Sequence, residues 1–270
     1  MRLGRVLLAA GVGVAAAVSL AFLLLPILGI FVHTTPAHLL SQLGNPVATD
    51  ALVVSLKTSA VAQLAVVALG TPTAYLLATR RFPGRSLAIS LIELPLVLPP
   101  AVAGIGLFTA FGRMGLISTN VAFTQAAVVV AVAFVSSPLY VRPAIATFEA
   151  VDPDLVAASR TLGAGPVRTF ARVVLPLARA GLAAGLALSF ARGIGEFGAT
   201  IMFAGSLQGL TQTLPLAIYA EFNQSFDAAV AMSALLVLFS IALLVSLRLL
   251  LSWRSSSTTS LFRFGLSTSG

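Results

Sequence analysis

The sequence predicts an all-α, polytopic membrane protein with six transmembrane helices and both termini in the cytoplasm, and three observations carry that prediction. The chain is 58% hydrophobic and only 9% charged, whereas a soluble domain is about 25% charged. Its apolar residues gather into six runs of roughly the 20 residues that a helix needs to cross a bilayer. Its arginines concentrate in alternate connections, the asymmetry that the positive-inside rule assigns to cytoplasmic loops.

The first run, Val6–Val32, follows Arg2 and Arg5. A basic start suits a signal peptide, but a signal core has only about 7–15 apolar residues, and this run is far longer. The connection around residues 33–50 lacks arginine and is external. The second run, Ala51–Ala78, ends at Arg80, Arg81 and Arg85, which mark a cytoplasmic turn. Lys57, the single lysine, lies less than two turns inside the outer end; it either snorkels to the interface or attracts an anion. The third run, Ser86–Phe111, contains Pro95, Pro99, Pro100, Gly104 and Gly106 and is expected to break. Broken backbone at membrane depth is tolerated only where protein or a water-filled cavity covers it. The third run therefore lines a pathway or packs as a kinked helix, and Pro99, Pro100 and Gly104 are candidate pathway or bundle-interior residues. Glu93 lies near the inner face, in position to pair with Arg85 or Arg142.

The connection around 112–120 holds only Arg113, and the fourth run is Val121–Val141. The fifth, Ala180–Gly205, contains ARGIGEFGAT at residues 191–200. Charges near the middle of a span cost about 2.5–3.5 kcal/mol each on insertion scales. Arg192 and Glu196 are four residues apart, so a helix places them on one face, where they can pair. Either the pair fixes this helix against its neighbours, or Arg192 is a transient anion site tempered by Glu196. The connection around 206–227 carries Glu221 and Asp227 but no arginine. The sixth run, Ala228–Leu251, leads into a Ser/Thr-rich stretch from Ser252 to Gly270. Trp253 and Arg254 are placed to anchor that helix at the interface, and the rest of the tail is expected to be disordered.

One connection is too long for a hairpin between membrane helices: RPAIATFEAVDPDLVAASRTLGAGPVRTFARVVLPLAR, from Arg142 to Arg179. Asp152-Pro153-Asp154 reads as a helix start and Gly163 as its stop, with Leu155, Val156, Ala158 and Leu162 forming an apolar stripe. A second short helix is expected from Pro166 to Leu175. Two short helices with a glycine corner make a rigid projection, or else a pair of interfacial helices lying on the lipid.

Within it, AASRTLGAGPVRTFARVVLP resembles the EAA loop of permease subunits of ATP-binding-cassette importers. That loop has the pattern Glu-Ala-Ala, three residues, Gly, nine residues, Ile-x-Leu-Pro. Ala157, Ala158 and Ser159 fall on the first three positions, Gly163 on the glycine, and Val173, Leu175 and Pro176 on the closing ones. The family's glutamate and second alanine are replaced by Ala157 and Ser159. LPLVLPPAVAG at 94–104, ARGIGEFGAT, and TQTLPLAIY at 211–219 are together similar to the molybdate/tungstate branch, over residues 48–252. Sulfate permeases share related GEFGA and proline-rich segments.

The resemblance implies a type I importer fold. Residues 1–47 form a first helix and external loop, 48–252 the importer domain with its coupling loop at 152–176, and 253–270 a cytoplasmic tail. It implies ATPase coupling through Leu155, Ala157, Ala158, Ser159, Leu162, Gly163 and Ala164. It also implies an ATP-binding-cassette ATPase dimer, an external oxyanion-binding protein and a second copy of the chain as partners. The setting is the cytoplasmic membrane of a bacterium or archaeon. The tail is too short for the oxyanion-sensing domain that some members carry, so feedback by that route is not expected.

Other classes fail on inventory. The chain has no cysteine, which excludes disulfides, thiolate catalysis and cysteine-held metals. A P-loop needs Gly-Lys-Ser/Thr, and Lys57 follows Leu56, so ATP hydrolysis belongs on another subunit. His33 and His38 lack HExxH spacing, and there is no GxSxG elbow, which leaves no metal, cofactor or catalytic site. The net charge of +8 points to no nucleic acid, because a basic patch needs a soluble face. A secondary transporter remains the rival class, and the docking loop argues against it, since such a protein needs no platform for a motor.

Overall fold

The computed structural model describes residues 2–42 and 44–255, and these contain helices and no strand. Of the tail expected to be disordered, residues 256–270 lie outside them, as do the side chains of Trp253 and Arg254, while the backbone of residues 253–255 is helical.

Among the described residues, five helices are long and apolar enough to cross a membrane, and a bent pair makes a sixth where it counts as one span. α1 (Arg2–Val32), α3 (Pro46–Thr79), α6 (Gln125–Glu149) and α12 (Phe226–Ser255) match the first, second, fourth and sixth apolar runs, each extended at one or both ends. A short α2 (Pro36–Gln42) lies between α1 and α3. α6 continues two turns past Val141 to Glu149, and Arg142 within that extension pairs with Glu93.

The third run breaks as expected. α4 (Arg85–Val97) and α5 (Pro100–Phe111) meet at an angle of 116°. Pro99 and Pro100 have no N–H to continue the ladder, and Leu98, preceding a proline, is extended (ψ 132°). Pro95 is tolerated inside α4.

Two expectations are corrected. The fifth run is not one helix from Ala180 to Gly205: α9 (Leu175–Ile194) stops, and α10 (Gly198–Ala204) starts anew. Gly193, Gly195 and Gly198 crowd this point, and each weakens a helix interior by about 1 kcal/mol. The second loop helix is not separate either, since α8 (Pro166–Thr169) passes through a π turn at Phe170–Val174 directly into α9. Pro176 cannot donate to the carbonyl four residues back, and the chain answers by bonding Leu175 N–H to Phe170 O. The membrane helix therefore begins at Pro166, ahead of the arginines that end the apolar run. The connection at 206–227 is itself structured. It contains α11 (Leu214–Phe222), and Thr211, Gln212, Thr213, Leu214, Leu216 and Ala217 are buried.

α6 is the centre of the bundle, with α3 and α9 packed along it. α9 presents Gly181, Gly185, Ser189 and Gly193 to α6, four small residues at four-residue spacing. A Cβ on Gly181 would sit 2.1 Å from Thr147 Oγ1, and one on Gly193 would sit 2.9 Å from Val132 Cγ1. Lipid tails are as apolar as leucine, so helices in a bilayer gain by close van der Waals approach, which small residues permit. One polar cluster ties the three helices together. Gln63 Nε2 donates to Ser136 Oγ at 3.1 Å and to Ser189 O at 3.3 Å, and Ser189 Oγ donates to Gln63 Oε1 at 2.8 Å.

Candidate functional site

Two regions carry chemistry. The first is the projection after α6. Asp152 accepts a hydrogen bond from Asp154 N–H at 2.9 Å and opens α7 (Pro153–Thr161), with proline in its first turn. Gly163 closes it with φ 81°, a left-handed conformation that glycine adopts without steric cost. Beyond the corner, Ser159 Oγ and the buried Thr169 Oγ1 lie 2.7 Å apart and clip α7 to α8. Phe170 packs edge-on against Tyr75, with ring centroids 4.8 Å apart, and Tyr75 in turn against Phe148. Val156 packs on the same cluster.

The projection is thus fastened to α3 and α6 at its base. Its outer surface is apolar and open. Leu155, Ala157, Ala158 and Gly163 are exposed, Leu162 is 88% and Val167 81% exposed, while Ser159 and Ala164 are half-buried. Exposed apolar surface rimmed by polar groups marks an interaction site. Next to this projection, Arg85 pairs with Glu149, and Glu93 pairs with Arg142 rather than Arg85. These half-exposed pairs hold α4 to α6.

The second region is where both broken segments meet. Arg192 occupies the last turn of α9, and Glu196 sits in the break before α10, so the pair spans a helix end instead of one helical face. Arg192 Nη1 lies 2.7 Å from Glu196 Oε2. The contact is an ion pair, and the buried Oε2 has no further hydrogen-bonding partner among the described residues. Glu196 Oε1 accepts from Ala199 N–H at 2.8 Å, so the carboxylate is tied to the first turn of α10. Its side chain is 1% exposed and that of Arg192 is 36% exposed.

Arg192 borders a cavity of about 140 Å³ with Pro95, Leu96, Leu98, Pro100, Ala103 and Val135. Pro100 also faces Gly198, where an added Cβ would lie 2.5 Å from Pro100 Cβ. Gly104 allows α5 to cross α10: a Cβ there would meet Met202 Cβ at 2.6 Å and Ala199 O at 2.7 Å. Of the predicted residues, Pro100 and Arg192 come together at the cavity and Gly104 supports its wall, while Pro99 supplies the break. Lys57 is exposed and takes no part. Three further buried polar atoms, Thr200 Oγ1, Gln212 Oε1 and Thr213 Oγ1, have no partner among the described residues. The Gln63 cluster and the small-residue face of α9 went unread in the sequence. The spacing of Gly181, Gly185, Ser189 and Gly193 was the available signal.

No group of histidine and acidic side chains able to hold a metal occurs among the described residues. A bundle of apolar helices with two broken segments beside a small cavity, and a projection fastened at its base, is the architecture of a polytopic membrane protein. The chain belongs to the family described as the binding-protein-dependent transport system inner membrane component, whose pattern matches residues 70–256. It is 43% identical to the molybdenum transport system permease protein ModB of Mycobacterium tuberculosis over 80% of this chain and 84% of that one. It is 36% identical to the sulfate transport system permease protein CysT of Salmonella typhimurium, over 77% and 78%. The fold matches the inward-facing MetNI methionine ABC transporter with a TM-score of 0.60 at 20% identity, covering 76% of this chain and 95% of that one.

Proposed function

We propose that this chain is the membrane-spanning subunit of an ATP-driven importer for molybdate, with tungstate as an isosteric second substrate. Hydrolysis occurs on a separate ATPase dimer, and an external binding protein delivers the anion to a homodimer of permeases. The observation that carries this reading is the fastened, apolar projection from Asp152 to Thr169. A secondary transporter has no use for such a surface, whereas a motor needs a rigid lever. Closure of the ATPase against Leu155, Ala157, Ala158, Leu162 and Gly163 would be passed through Phe170 to α3 and α6, and along the unbroken helix from Pro166 to Arg192.

The arginine-rich end of the bundle is placed in the cytoplasm by the positive-inside rule, in the cytoplasmic membrane of a bacterium or archaeon. The molybdate assignment is supported by the greater identity to ModB than to CysT, and the CysT likeness makes sulfate or thiosulfate the second reading. Deletion of the gene should give a growth defect that excess molybdate repairs. Repair by sulfate or thiosulfate alone transfers the assignment to the second reading, and copurification without an ATPase refutes both.

A further inference from the structure

We propose that Arg192 and the cavity opened by the α4–α5 break form a transient binding site for a tetrahedral oxyanion; the identity of that anion rests on the import reading above. Among the described residues, Arg192 is the one charged residue on the cavity wall. Its volume of about 140 Å³ is roughly ten times the ~10–15 Å³ that one water requires, so it admits an anion a few waters in size.

The two partners of the pair differ in freedom. Glu196 is buried and held by Ala199 N–H, whereas the guanidinium is a third exposed and meets the carboxylate through Nη1 alone. An arginine fork that is fully engaged meets both carboxylate oxygens in a bidentate pair. Here one carboxylate oxygen accepts from Ala199 N–H and the other meets a single guanidinium nitrogen, Nη1, which leaves the remaining guanidinium N–H groups for the cavity. A tetrahedral dianion offers two oxygens to that fork.

The rest of the cavity favours brief occupancy. Pro95 and Pro100 have no N–H to donate, and Leu96, Leu98, Ala103 and Val135 are apolar. Among the described residues arginine is therefore the sole strong donor on the wall, and Glu196 competes for it. A site in a pathway must bind well enough to load and weakly enough to empty. This one discriminates by charge and shape and treats molybdate, tungstate and sulfate alike.

The native chain has no cysteine, so Leu98→Cys places a single thiol on the half-buried cavity wall. In the assembled permease–ATPase complex during turnover, its labelling by anionic and cationic methanethiosulfonates of similar size is compared. The anionic reagent should react faster by about tenfold, as local charge steering allows, and molybdate, tungstate or sulfate should slow it. Adding Arg192→Gln and Glu196→Gln together, two amides that preserve hydrogen bonding, should abolish both effects and reduce uptake at least as strongly.

A thiol that neither reagent reaches, a reagent preference indifferent to Arg192, or no protection by any of the three anions overturns the site. Near-normal uptake by the folded, ATPase-bound double variant does the same. Protection by sulfate with uptake of sulfate and not molybdate by the parent complex leaves the site standing and refutes the molybdate assignment instead.

Discussion

Gly104→Ala tests whether the crossing of α5 over α10 sets the shape of the cavity. The added Cβ would lie 2.6 Å from Met202 Cβ, 2.7 Å from Ala199 O and 2.9 Å from Ala199 Cα. Two of those atoms are backbone, so relief requires the helices to part by most of an ångström. Overpacking of this kind costs about 1–3 kcal/mol, offset by about 1 kcal/mol from replacing glycine inside a helix. The net loss is about 0–2 kcal/mol, with the upper half expected because backbone cannot rotate away. Gly106→Ala is the matched control, since it lies in the same helix with nothing within 4 Å of its Cβ and gains the propensity without the clash. The difference between the two variants isolates the clash at about 1–3 kcal/mol. At roughly 2–4 °C per kcal/mol for a chain of this size, Gly104→Ala should melt about 2–12 °C below Gly106→Ala in detergent. It should also transport more slowly, because its cavity wall has moved. Equal melting temperatures for the two variants would refute the close-approach reading.

The remaining predictions concern the other joints. Gln63→Ala leaves Ser136 Oγ without its donor in the bundle centre and should cost about 1–3 kcal/mol, read as a lower thermal midpoint; an unchanged midpoint would mean the cluster contributes nothing. Gly163→Asp should insert and fold, with about 1 kcal/mol of left-handed strain, yet abolish uptake by placing a carboxylate on the docking surface. Gly163→Asn, the uncharged isostere, should be impaired less, and undiminished uptake by the aspartate variant would refute the docking role. Glu149→Gln removes the partner of Arg85 in a pair that water partly screens, so it should cost under about 1 kcal/mol; a loss of several kcal/mol would show that this pair governs α4 placement.

Much of this architecture was legible in the chain because its causes are local. Bilayer thickness makes each crossing a run of apolar residues, and a proline acts on its own neighbours, so the crossings and the break at Leu98-Pro99 could be read directly. Asp152, Pro153 and Gly163 bound α7 by the same local chemistry. The uninterrupted passage from α8 to α9 was hidden, because Arg168, Arg172 and Arg179 end the apolar run without ending the helix. Composition and local pattern thus determined the class, the crossings and the projection. Only the tertiary structure decided that Glu93 takes Arg142 and leaves Arg85 to Glu149, that Gly104 and Gly181 sit where a methyl group does not fit, and that Arg192 borders the space opened by a proline break some 90 residues earlier in the chain. Those are properties of pairs of surfaces: the same glycine or arginine on another helical face would meet lipid, and nothing in its own neighbourhood along the chain distinguishes the two cases.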